Sequence, residues 1–105
     1  MTTIKVTQLE KKVLEALAES MYAEYNYSDA GLEEVINITG LPSKVIRGVV
    51  SSLTKKQLVE VDYRESEGYK NKPAMHIWYL TDRTVGLVEH WVKEANLTPV
   101  ELIVE

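Results

Sequence analysis

Between residues 43 and 55, hydroxyl and basic side chains recur every three or four positions: Ser43, Lys44, Arg47, Ser51 and Lys55. Read as a helix at about 100° per residue, Lys44, Arg47, Ser51 and Lys55 share one side with Gly48. Ile46, Val49, Val50 and Leu53 converge on the other. A stripe of that composition suits a polyanion. Lysine and serine side chains can meet backbone phosphates, and an arginine can pair bidentately with a guanine edge. Gly48 lowers helix propensity by about 1 kcal/mol relative to alanine and permits a close approach, which a purely structural helix would not need.

Other chemistries lack their residues. His76 and His90 are the only histidines, fall on different elements and show no metal-ligand spacing. The chain has no cysteine, which excludes a disulfide scaffold, thiolate zinc sites and a cysteine nucleophile. Its five glycines are scattered, so there is no glycine-rich phosphate loop. Glu33-Glu34 and Glu65/Glu67 read as solvated acids. No catalytic residue, metal or cofactor is expected, and the chain is not expected to be an enzyme.

The 105 residues suit one domain, with residues 7–95 as its core and 96–105 as a tail. At 45% apolar and 27% charged, the composition excludes disorder. No apolar run approaches membrane-spanning length, and the opening Met1-Thr2-Thr3-Ile4-Lys5 is no signal peptide, so a cytoplasmic location is expected. The net charge is −4, but it is unevenly spread. Residues 43–72 hold seven Lys and Arg against four Asp and Glu, a net +3, leaving −7 for the rest. An acidic body with one basic stretch fits a protein that turns a single face to phosphate.

The elements that must carry this stripe follow from capping and periodicity. Thr7-Gln8-Leu9-Glu10 has capping-box spacing and opens an amphipathic helix to about Tyr25, with Leu9, Val13, Leu14, Ala16, Leu17, Met21 and Tyr25 inward. Ser28 or Asp29 caps a short second helix, ended by Gly40. Pro42 and Ser43 start a third, running to about Lys56. Val59, Val61 and Tyr63 then alternate with polar residues as a half-buried strand. Residues 66–73 read as a turn and 74–80 as a returning strand. Thr81-Asp82 caps a last helix whose apolar side holds Val85, Leu87, Val88, Trp91, Val92 and Ala95, with Asn96-Leu97-Thr98-Pro99 as its stop. Val100–Glu105 is apolar enough to dock or to form a strand, with Ile4–Val6 as one candidate partner. The result is an α+β class: a three-helix core, a β-hairpin and a C-terminal helix.

Two helices joined by a tight turn at Gly40-Leu41-Pro42 have helix-turn-helix spacing. From about Thr7 to Ala95 the chain resembles a winged helix-turn-helix DNA-binding domain, similar in layout to MarR-like regulators. The matching run is ITGLPSKVIRGVVSSLTKKQLVEV, followed by the hairpin and by YLTDRTVGLVEHWV. The resemblance implies a transcriptional regulator of duplex DNA whose third helix is the recognition helix. It implies that Ser43, Lys44, Val45, Arg47 and Ser51 face the major groove, with Gly48 and Lys55 on the same side. Arg64, Tyr69, Lys70 and Lys72 would be wing contacts. Gln57 departs from the pattern, standing where such domains usually place a glycine, and so implies a non-glycine residue at a tight helix end. The long flanking helices of a MarR-type dimer interface are also missing. Leu87, Trp91 and Ala95 are instead the candidate surface for a homodimer. Tyr22, Tyr25 and Tyr27 can pack on the core or stack on a planar effector. Because winged helices also serve as protein-interaction modules, a protein partner stays open as the alternative to DNA.

Overall fold

The computed structural model describes residues 2–23, 32–64 and 75–105. The chain runs β1 (Thr2–Val6), α1 (Gln8–Ala23), α2 (Leu32–Thr39), α3 (Ser43–Lys55), β2 (Val59–Arg64), β3 (Met75–Leu80), a 3-10 turn (Val85–Leu87), α4 (Glu89–Ala95) and β4 (Val100–Val104). Two separate two-stranded sheets flank the helices. β2 and β3 form the antiparallel hairpin, in register from Val59 opposite Leu80 to Arg64 opposite Met75. β1 and β4 pair in parallel, Thr2 with Val100 through Val6 with Val104, so the tail does become a strand beside residues 4–6. The class is α+β, as the periodicities imply.

Burial of apolar faces holds the body together. Val13, Leu14 and Leu17 of α1, Val35 of α2, and Ile46 and Leu53 of α3 are solvent-inaccessible and meet in one core. Ile4, Val6, Leu58, Val59, Trp78, Leu80 and Val88 close it from the strands and the C-terminal segment. Truncating one of the central leucines to alanine in such a core costs about 2–5 kcal/mol.

Local chemistry sets the helix ends. The capping box forms: the Thr7 amide donates to Glu10 Oε1 at 2.9 Å, and the Glu10 amide donates to Thr7 Oγ1 at 3.1 Å. α2 ends at Gly40, whose φ of +72° places it in the left-handed region and whose amide donates to the Ile36 carbonyl. Thr39 ties the same turn, donating to the Val35 carbonyl and accepting from the Leu41 amide. Pro42, extended at ψ 149°, supplies the carbonyl that receives the Ile46 amide and starts α3. Pro42 is therefore the cap and Ser43 the first helical residue. At the far end, Gln57 adopts φ +62°, the left-handed non-glycine residue that the sequence pattern implies. Its amide donates to the Thr54 carbonyl while the Leu58 amide donates to Leu53, the paired bonds of a Schellman end. Leu53 and Leu58, the motif's apolar positions, are both buried in the core.

Three expectations fail. The single helix after Thr81-Asp82 does not form: residues 85–87 make one 3-10 turn, Val88 is extended (φ −83°, ψ 100°), and the α-helix begins only at Glu89. The hydroxyls of Thr81 and Thr84 do not cap it but donate to the Gln57 and Leu58 carbonyls, and buried Gly86 packs so closely that a Cβ would lie 2.2 Å from the Thr98 oxygen. Leu9 is 43% exposed, whereas Glu10, Val13, Leu14, Ala16 and Leu17 of the same helix are buried. Val61 is likewise exposed, since the hairpin's packing is taken up by Val59, Trp78 and Leu80. The Ser28/Asp29 cap, Tyr25, Tyr27 and the hairpin residues Tyr69, Lys70 and Lys72 lie outside the described residues.

Gln57→Gly is expected to stabilise the fold by about 1 kcal/mol, because glycine alone adopts that φ without steric cost. A thermal melt should show a rise of about 4–8 °C.

Candidate nucleic-acid interface

α3 divides its residues cleanly between two faces. Ile46, Val49, Val50 and Leu53 are buried, whereas Ser43, Lys44, Arg47, Gly48, Ser51 and Lys55 are exposed. Val45 is half-buried and packs against the core. Nothing lies within 4 Å of where a Gly48 Cβ would stand, so the glycine fills no structural need within the chain.

Several cations elsewhere are paired, although exposed Lys5 and Lys12 have no partner among the described residues. Lys11 reaches Glu15 at 4.0 Å and Lys93 reaches Glu89 at 3.3 Å, each pair within one helix. Lys56 lies 2.8 Å from Glu10. Lys44, Arg47 and Lys55 have no ion pair or hydrogen bond to any described residue. Three unpaired cations along an exposed helix, interspersed with Ser51 and Gly48, leave room for an anionic partner to approach along its length.

Two anchors fix that helix to the body. Near its C-terminal half, the Glu10 carboxylate accepts from Ser52 Oγ at 2.9 Å and from Lys56 Nζ at 2.8 Å while keeping the Thr7 amide. Glu10 is only 2% exposed, and burial pushes its carboxyl up. The Lys56 ammonium, the Thr7 amide and the Ser52 hydroxyl outweigh that push and hold it below its ordinary value of 4.5. At the helix end, residues 81–84 satisfy carbonyls that would otherwise be orphaned. Arg83 Nη1 donates to the Lys56 carbonyl at 2.9 Å, Thr81 to Gln57 at 2.9 Å, and Thr84 to Leu58 at 2.7 Å. Sequence spacing exposes Glu10's capping role, but gives no sign of these contacts with α3.

The other candidates are dispersed. Arg64 ends β2, in the hairpin. Leu87 and Trp91 are half-buried against the core and Ala95 is exposed, so the proposed dimer residues are only partly free. His90 lies 3.6 Å from Glu94 on α4. Among the described residues, no three His, Asp or Glu side chains gather as a metal site would, and no helix is long and apolar enough to cross a membrane.

No protein-family model and no curated protein matches the chain. Solved structures do. BpsR of Bordetella bronchiseptica, whose DNA binding is regulated by 6-hydroxynicotinic acid, superposes with a TM-score of 0.57 and 23% identity. ZitR of Lactococcus lactis gives 0.59 at 14% identity, and Pex of Synechococcus sp. gives 0.51 at 17%. These matches cover 87%, 89% and 90% of this chain, but it spans only 60% of BpsR and 55% of ZitR, against 88% of Pex. The shared feature is the winged-helix fold, with α2 and α3 as its helix-turn-helix and β2–β3 as its hairpin.

Replacing Glu10 by Gln is expected to cost about 2 kcal/mol at pH 7, discounted for the half-exposed Lys56. The folded carboxyl titrates below its ordinary value, so its contribution is complete above about pH 4.5 and disappears as pH falls through the folded pKa. Urea melts should show the gap between wild type and Glu10→Gln shrinking from pH 7 towards pH 3.

Proposed function

We propose that the chain is a winged-helix transcriptional regulator of the cytoplasm that binds duplex DNA sequence-specifically, with α3 in the major groove. The observation that carries this reading is the exposed stripe of Lys44, Arg47, Ser51 and Lys55, whose cations have no described partner and which surrounds a glycine with open space above it. In this reading Arg47 pairs with a guanine edge, Ser43, Lys44, Ser51 and Lys55 meet phosphates, and Val45 and Gly48 allow close contact with the groove. Arg64, Tyr69, Lys70 and Lys72 serve as the wing on the neighbouring backbone or minor groove. The DNA binding of BpsR, a fold-level neighbour, is consistent with it.

A regulator of this kind reads palindromic half-sites as a two-fold dimer, and Leu87, Trp91 and Ala95 are the surface we assign to that contact. Sedimentation at high concentration should give a mass well above the 11.9 kDa of one chain; a monomer mass removes the dimer.

Fluorescence anisotropy with random-sequence duplex tests the main reading. Binding should weaken with salt, with log K falling against log salt at a slope of about −4 to −5 for four to six phosphate contacts. Arg47→Glu should abolish binding while leaving the far-ultraviolet circular dichroism unchanged, because the side chain is exposed. No binding at low salt would assign the fold to protein interaction instead.

Gly48→Ala should separate stability from binding. It is expected to raise stability by about 1 kcal/mol, as alanine does in a helix interior, and to weaken DNA binding by crowding the groove. Unfolding melts and anisotropy on the same variant check both signs.

A further inference from the structure

The second half of α3 and its C-terminal cap carry two adjacent pairs of like polar residues, Ser51-Ser52 and Lys55-Lys56. The first member of each pair belongs to the exposed stripe. The second member turns to the body: Ser52 and Lys56, four residues apart and so stacked on one side of the helix end, both bond to the Glu10 carboxylate. Resting on the DNA-binding reading above, we infer that Lys56 is a positioning residue that makes no phosphate contact, locked by Glu10 so that the last turn of α3 meets the DNA backbone in a fixed orientation.

The geometry favours this over a further phosphate contact. Lys56 Nζ is 2.8 Å from a carboxylate oxygen that is almost wholly buried. Turning the ammonium to a phosphate would leave that carboxylate desolvated with its main compensating charge gone, a loss that a contact on the exposed surface does not offset. The main chain of Lys56 is held as well, since its carbonyl accepts from Arg83 Nη1 and its amide donates to the Ser52 carbonyl. The side chain of Lys55, one residue earlier, has no such tie to any described residue. Two neighbouring lysines thus differ in duty: one meets the ligand, and the other holds the helix that presents it.

Salt titration distinguishes the two duties, because each lost phosphate contact reduces the magnitude of the slope of log K against log salt by about 1. Anisotropy with random-sequence duplex would compare wild type with Lys55→Gln, Lys56→Gln, Lys56→Arg and Glu10→Gln, at a temperature where circular dichroism shows each folded. Lys55→Gln should reduce the slope by about 1. Lys56→Gln and Glu10→Gln should each weaken binding about five- to tenfold at unchanged slope, as loss of a coupled network contact would. Lys56→Arg, which can still reach Glu10, should restore affinity. A slope reduced by about 1 in Lys56→Gln, or an affinity equal to wild type, overturns the inference while leaving the DNA reading intact. Failure of wild type itself to bind overturns both.

Discussion

The Glu10 carboxylate sits where three demands meet. It closes the first turn of α1, it is removed from water, and it faces the C-terminal half of α3. A buried charge of this kind is tolerable only when its lone pairs are filled, and the Thr7 amide, Ser52 hydroxyl and Lys56 ammonium fill them. Its position in the first turn of α1 also places negative charge at the positive end of that helix. The start of one helix is thereby fixed against the end of another, and the orientation of the exposed α3 stripe follows from that junction.

A second constraint acts on the same helix end. Gln57 accepts a left-handed conformation so that the chain can turn directly from α3 into β2, and residues 81–84 return to bond the carbonyls left at that turn. Residues 81–84 are thereby tied to the α3–β2 turn, and the regular helix begins only at Glu89. The structural duties of α3 therefore fall on its buried face, on Ser52 and Lys56, and on the main chain of residues 53–58. Lys44, Arg47, Gly48, Ser51 and Lys55 carry none, and are available for recognition.

Much of this was legible in the sequence where the determinants are local. The Thr7–Glu10 spacing, the left-handed Gly40 and the inward set Ile46, Val49, Val50 and Leu53 each depend on neighbours within a turn or two. Gln57 was readable for the same reason. The Glu10 contacts with Ser52 and Lys56 span 42 and 46 residues, and no helical periodicity encodes them. The break at Val88 was hidden because Val85, Leu87, Val88, Trp91 and Val92 satisfy a helical pattern, while the contacts that accompany it are with residues 57, 58 and 98. Terminal strand pairing was only half readable: the apolar tail marks a strand, but a parallel partnership between the two ends of the sequence is non-local.

The solvent face of α3 is the surface proposed to meet DNA. Amide chemical-shift mapping of the labelled protein, titrated with a random-sequence duplex at low salt, tests it most directly. The account predicts that the largest shifts fall on Lys44, Arg47, Gly48, Ser51 and Lys55, with α4 and the β1–β4 ribbon little changed. Shifts centred on α4 or on that ribbon, with α3 silent, would contradict it.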